Sequence, residues 1–216
     1  MDTLSLFDFD KTLVRRLGTD FLVGIDEAGR GPLAGPVVAC ACYIPLSIAA
    51  EFSDVNDSKK LTEHKREKLF ERLTHSHILY CLGFASALEI DRLNILQATF
   101  LAMRRAAQKF IHTPQATALI DGPHQVPDLP LPQQAIVDGD AKSLAIAAAS
   151  IIAKVTRDRY MLTLDKLYPG YDFATHKGYG TAKHLQALQK LGPCLEHRAS
   201  FGPVRQLVTT TRTPLP

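Results

Sequence analysis

The sequence predicts an α/β fold: a mixed β-sheet flanked by helices, with a C-terminal helical segment. Three observations carry that prediction. Short apolar runs of strand length, bounded by Gly, Pro or Asp, alternate with longer segments of helical spacing. Two of those longer segments, around 93–111 and 143–167, are extended helical patterns. The chain of 216 residues, 46% hydrophobic and 22% charged, is large enough to bury a core without disulfides or a structural metal.

Phe21–Ile25 is an apolar run ending in Asp-Glu-Ala-Gly, a buried strand meeting a turn. Pro36–Ile44 (PVVACACYI), bounded by Gly35 and Pro45, predicts a second strand. Leu61, Leu69, Phe70 and Leu73 sit at helical spacing in a charged stretch, with Ser58 or Thr62 as cap. Ile78–Ala87 predicts a third strand, and Leu93–Ile111 a helix stopped near Pro114. Ala116–Ile120 is a strand that delivers Asp121 to a turn at Gly122-Pro123. A proline-rich loop, Pro127–Pro132, precedes a short strand at Ala135–Val137. Ser143–Leu167 predicts a long helix whose alanines let it pack close to a sheet. Past Pro169-Gly170 come a polar loop and a helix over Thr181–Leu191. Residues 1–20 predict a variable, loosely ordered extension, and residues 21–216 a single domain.

A net charge of +3 permits an anionic partner without demanding one. Cys40, Cys42, Cys81 and Cys194 lack the C-x-x-C spacing of zinc or redox sites and predict reduced thiols in a cytoplasmic protein. The longest apolar stretch, Leu144–Ala153, is half of what a membrane span needs. Asp2, Asp8 and Asp10 precede any basic cluster, opposite to a secretory leader.

The acids are the informative feature. Asp26 and Glu27 end one apolar run, Asp121 ends another, and Asp138 and Asp140 follow a third. Ligand sites in open α/β sheets gather at carboxyl ends of strands. Each acid alone has a structural reading, as a turn starter or helix cap. Together they form an acidic cluster suited to hard divalent cations. Adjacent strand residues point to opposite faces, so Asp26 and Glu27 converge only if the strand is turning there. Gly29-Arg30-Gly31-Pro32 offers backbone groups and a cation beside those acids, where a phosphate or sugar can approach. Lys59, Lys60, Lys65, Arg66 and Lys68 add positive charge. Tyr179, between Gly178 and Gly180, is poorly placed for a core.

In combination these residues resemble the type 2 ribonucleases H, and among them the bacterial ribonuclease HII family. The resemblance is carried by GIDEAGRGPLAGPVV at 24–38, NDSKKL at 56–61, EIDRLNILQATFLAM at 89–103 and LIDG at 119–122. It continues through GDAKS at 139–143, AASIIAKVTRDRYM at 148–161, HKGYGT at 176–181 and HRASFGPV at 197–204. The motifs run in family order over nearly the whole chain. The resemblance implies a ribonuclease-H-like mixed sheet, and hydrolysis of the RNA strand of RNA–DNA hybrids. It also implies incision 5′ of single ribonucleotides in duplex DNA, leaving 3′-hydroxyl and 5′-phosphate ends. Asp26, Glu27, Asp121 and Asp140 match the family's ligands for two metal ions, Mg²⁺ or Mn²⁺, with Asp138 a neighbouring decoy. Gly29, Arg30 and Gly31 match its sensor of the 2′-hydroxyl, and Tyr179 the partner at the RNA–DNA junction. Lys59 and Lys60 are expected near backbone phosphates. The N-terminal domain usual in ribonuclease HIII is not expected in the roughly 20 residues before the first strand. The implied protein is a cytoplasmic monomer with no membrane partner.

Two other readings stand beside it. Asp8-Phe9-Asp10-Lys11-Thr12 resembles the D-x-D-x-T signature of haloacid-dehalogenase-type phosphatases, but the Rossmann-like unit that signature needs does not follow. A catalytically silent hybrid-binding module would predict affinity without metal and no cleavage, which four acids in place do not favour.

Overall fold

The structure, a computed structural model, describes residues 5–55, 58 and 61–210. Five strands form one sheet: β1 (Phe21–Ala28), β2 (Val37–Tyr43), β3 (Leu79–Ala85), β4 (Ala116–Asp121) and β5 (Gln133–Ile136), in the order β3-β2-β1-β4-β5. β1, β2 and β3 are antiparallel, while β4 and β5 run parallel to β1. The sheet is therefore mixed, as the sequence predicts. The helices of the described residues are α1 (Leu6–Leu17), α2 (Glu63–Thr74), α3 (Ala87–Leu93), α4 (Ile95–Ala107), α5 (Leu144–Leu167), α6 (Phe173–His176), α7 (Ala182–Leu191) and α8 (Gly202–Thr210).

Alternation along β1 divides the core. Val23 and Ile25 face α4 with Phe100 and Met103, whereas Leu22 faces α5 with Ile146 and Leu13 of α1. Gly24 belongs to the α5 face, and the reason it is glycine is contact: a Cβ there would lie 2.1 Å from the Ala145 carbonyl carbon. Gly83 does the same on the other face, where a Cβ would meet the Ala102 carbonyl oxygen at 2.0 Å. Ala145 and Ala147–Ala149, all buried, complete the close seat of α5 on the sheet.

Three local expectations change. Residues 5–18 form an ordered, capped helix: Ser5 caps α1 through the Asp8 amide, Gly18 ends it in the left-handed region at φ 63°, and Leu13 is buried. The helix expected from Leu93 divides at Asn94, which has φ 70° and whose side-chain oxygen accepts the N–H groups of Leu96 and Gln97. The polar loop after Gly170 contains the short α6. Thr62 and Thr181 cap α2 and α7, and Ser143 caps α5. No helix among the described residues is long and apolar enough to cross a membrane.

Candidate active site

Asp26 lies on β1 and Asp121 ends β4, the parallel neighbour, so both reach the same edge of the sheet. Asp140 arrives from a 3-10 turn, Gly139–Ala141, between β5 and α5. One carboxylate oxygen from each of the three falls within 4.8 Å of the others. Asp121 builds part of this geometry itself, since its Oδ1 accepts N–H groups from Gly139 at 2.7 Å and Asp140 at 3.3 Å. Gly139 must be small, because a Cβ would lie 2.6 Å from Ile146 Cδ1 and 3.1 Å from that same Oδ1. Asp138, by contrast, is an exposed residue in the left-handed region and stands outside the group.

Glu27 is offset. β1 stays paired with β2 through Ala28↔Val38, so the strand has not turned at residues 26–27 and the two side chains leave on opposite faces. Glu27 is outside the 4.8 Å group and meets Arg30 Nη1 at 3.3 Å. It nonetheless borders the same cleft as Asp26 and Asp121, a space of about 250 Å³. With Asp121 and Arg30 it also borders a smaller recess on the α4 side.

The electrostatics are those of a cation site. Burial, then the charges of Glu27 and Asp121, pushes the Asp26 carboxyl well above the usual range, against the Ser150 hydroxyl and the Glu27 amide. Burial also raises Glu27, with Arg30 opposing and Asp121 adding to the rise. Carboxylates that repel one another at this spacing are costly unless a cation joins them. Three hard oxygen donors from three elements fit a divalent ion such as Mg²⁺ or Mn²⁺.

Beside the acids, the loop 29–36 is held from beneath by two buried arginines. Arg198 donates from Nη2 to the Gly29 carbonyl at 2.6 Å, from Nη1 to that of Arg30 at 2.8 Å, and from Nε to that of Gly35 at 3.0 Å. Arg157 donates to the carbonyls of Pro36, Ala34 and Lys177, joining this loop to the one that carries Tyr179. Gly29, at φ 98°, has no room for a side chain, since its Cβ would lie 2.0 Å from Arg157 Nε. Burial holds both guanidinium groups below the usual range, Arg198 to about 9. Tyr179 is 47% exposed on the cleft rim, its ring edge 3.5 Å from where a Cβ on Gly31 would be.

Lys59 and Lys60 lie outside the described residues. Just before them Ser58 is buried, and its hydroxyl shares a 2.8 Å hydrogen bond with Ser150. Ser150, Lys154, Arg157 and Arg198 are site residues that composition and spacing do not single out. The sequence signals for them are membership of the 148–161 and 197–204 motifs and, for 150, 154 and 157, recurrence at helical spacing on α5, one face of which meets β1. The Asp8–Asp10 motif falls inside α1, with Asp8 exposed and Asp10 buried against α5. A phosphatase nucleophile at the end of a strand has no counterpart there.

Comparisons with known proteins place the chain in a family. The family model described as ribonuclease HII matches residues 23–204. The chain is 56% identical over 185 residues to ribonuclease HII of Desulfitobacterium hafniense (strain Y51), covering 86% of this chain and 70% of the relative. It is 52% identical to ribonuclease HII of Syntrophotalea carbinolica, covering 92% of each. Among solved structures, ribonuclease H2 of Pyrococcus horikoshii OT3 superposes with a TM-score of 0.69 at 27% identity, over 89% of this chain and 99% of that one. Bst-RNase HIII, solved in complex with Mn²⁺, shares the fold with a TM-score of 0.70 at 16% identity, over 98% of this chain and 74% of that one.

Proposed function

The chain belongs to the ribonuclease HII family and is a metal-dependent endoribonuclease of the ribonuclease H kind, and from that premise we propose that it incises duplex DNA 5′ of single embedded ribonucleotides as well as cutting the RNA strand of RNA–DNA hybrids. The observation that carries this reading is the meeting of Asp26, Asp121 and Asp140 within 4.8 Å, beside the pinned Gly29-Arg30-Gly31 loop.

Asp26, Asp121 and Asp140 would hold one Mg²⁺ or Mn²⁺, and Glu27 would help to hold a second. When bound, the two ions supply an activated water and charge stabilisation for in-line displacement at phosphorus. The protein's own contribution is positioning. The Asp121 Oδ1 bonds to Gly139 and Asp140 fix where the third carboxylate stands, so the ligand set is preorganised rather than assembled by substrate. Arg30 is partly neutralised by Glu27 and half-exposed, free to swing toward a phosphate. The 2′-hydroxyl is the group that separates RNA from DNA. The carbonyls of Gly29 and Arg30, each with one lone pair committed to Arg198, offer the other toward it without reading base identity. Tyr179 stacks at the junction, and Lys59 and Lys60 meet backbone phosphates.

Residues 21–216 form the catalytic domain in this reading, with residues 1–20 an extension. The protein acts as a monomer in the cytoplasm, a compartment that suits four free thiols. The test is a labelled DNA duplex carrying one ribonucleotide, incubated with Mg²⁺, Mn²⁺ or EDTA beside an all-DNA control. Metal-dependent incision 5′ of the ribonucleotide, leaving a 3′-hydroxyl, is expected. Cleavage confined to long hybrids would refute the single-ribonucleotide activity.

A further inference from the structure

Behind Tyr179, away from the acids, three histidines are packed together where the catalytic reading has no use for them. His176, His184 and His197 are 7%, 0% and 5% exposed. The rings of His176 and His184 stack with centroids 4.4 Å apart, and the Phe173 ring stands nearly perpendicular to both. Their hydrogen bonds determine every ring proton. His184 Nδ1 faces the Tyr179 carbonyl oxygen at 2.9 Å, which can only accept, so Nδ1 carries the proton. His184 Nε2 is then a bare acceptor. It lies 3.0 Å from His197 Nε2, which must therefore donate. That assignment leaves His197 Nδ1 as an acceptor, and the Cys194 N–H points at it from 3.0 Å. His176 is set in the same way: Nε2 donates to the Tyr171 carbonyl at 2.8 Å, and Nδ1 accepts the Gly178 N–H at 3.1 Å.

The chain of assignments is self-consistent only if all three rings are neutral, with His184 in the less common Nδ1–H tautomer and the other two as Nε2–H. No ring nitrogen keeps a free lone pair, so the cluster is not a metal site. Its bonds fall on the backbone of the loop that presents Tyr179: the Gly178 amide and the Tyr179 carbonyl are both held. Burial lowers His184 and takes His197 to about 4, which favours the neutral form of those two rings.

We propose that His184, backed by His197 and His176 in this single tautomeric arrangement, is a positioning residue for Tyr179, holding its ring at the cleft rim against the Gly29-Arg30-Gly31 loop. The proposal rests on Tyr179 contacting substrate, and its test separates the two. Long-range ¹H–¹⁵N correlation spectra of the full chain at pH 7.5 read the tautomers without substrate. His184 is expected as Nδ1–H, and His176 and His197 as Nε2–H. A His184 that is Nε2–H or charged overturns the proposal.

Kinetics on the single-ribonucleotide duplex supply the second arm. His184→Gln keeps an acceptor near the former Nε2 but has nothing at Nδ1. His184→Asn keeps an amide donor near Nδ1. Losing one buried hydrogen bond costs about 1 kcal/mol, or roughly 5-fold. KM should therefore rise about 5-fold in His184→Gln with little change in kcat, and His184→Asn should restore most of that loss. In a Tyr179→Ala background His184→Gln should have no further effect on KM, a non-additivity that general loosening of the fold does not produce. Equal KM values for the Asn and Gln variants, or additive effects with Tyr179→Ala, overturn the positioning role. If Tyr179→Ala alone leaves KM unchanged, the substrate role of Tyr179 is overturned, while the spectra continue to judge the tautomers.

Discussion

Replacing Asp121 by asparagine should make the metal-free protein more stable while disabling it. Asp121 Oδ1 accepts the Gly139 and Asp140 amides, and an asparagine oxygen keeps both bonds while one negative charge disappears. The carboxylate oxygens of the site lie within 4.8 Å of one another. At an effective dielectric of 20, two unit charges at that spacing repel by about 3.5 kcal/mol. Part of this is already relieved, because burial and the neighbouring charges raise the Asp26 carboxyl well above its ordinary range and favour its neutral form. A net gain of about 1–2 kcal/mol remains, which for a chain of this size raises Tm by roughly 2–8 °C. The assay is thermal unfolding of both proteins in EDTA and then in Mg²⁺ or Mn²⁺. In EDTA the variant should melt higher. With metal the wild type should overtake it, since saturating a site 100-fold above Kd contributes about 2.7 kcal/mol. Cleavage by the variant should fall by more than the ~10–100-fold that follows from losing an outer partner of a metal ligand. A variant that melts lower in EDTA, or a wild type whose Tm ignores divalent ions, would refute the reasoning.

Gly24→Ala should destabilise by about 1–3 kcal/mol or more, because the new methyl would sit 2.1–2.4 Å from backbone atoms of Ala145 and Ile146 and force α5 off the sheet; kcat should drop as well, since α5 carries Ser150, and an unchanged melting curve contradicts the close-contact account. Asp10 gives a pH prediction whose sign is set by burial, which raises its carboxyl from 3.8 to about 6. Stability from the neutral form is full below pH 3.8 and lost as pH rises through 6, a span worth about 3 kcal/mol. Asp10→Asn should escape that loss: its oxygen can accept the Ala145 amide while its NH₂ occupies the place of Oδ1, an oxygen with no partner among the described residues. The stability difference between Asp10→Asn and wild type in urea should therefore grow between pH 4 and pH 7, and a constant difference would refute it.

Much of the fold was legible because its signals are local. The apolar runs at 21–25, 37–43 and 116–120 are strands wherever they sit, and Asp26 and Asp121 follow them directly, so their common edge could be anticipated from the chain order. Thr62, Ser143 and Thr181 are caps that announce their helices. The break at Asn94 was also written locally, in an Asn-Ile-Leu step, but the strong apolar stripe on either side masked it. The helix at 6–17 was not legible in the same way, since its short pattern gains meaning only from the surface of α5 that Leu13 and Asp10 meet.

The sequence by itself determined the α/β class, the strand ends, and the residue types of the acidic cluster. The tertiary structure alone decided that Asp26, Asp121 and Asp140 converge while Glu27 stands apart, because strand pairing through Ala28 sets which face each side chain takes. It also decided that Arg157 and Arg198, surface residues by composition, are buried under the 29–36 loop, and that His176, His184 and His197 are brought together with interlocking proton assignments. Such roles depend on which backbone carbonyls and ring nitrogens come within about 3 Å of one another, and that distance exists only once the chain has folded.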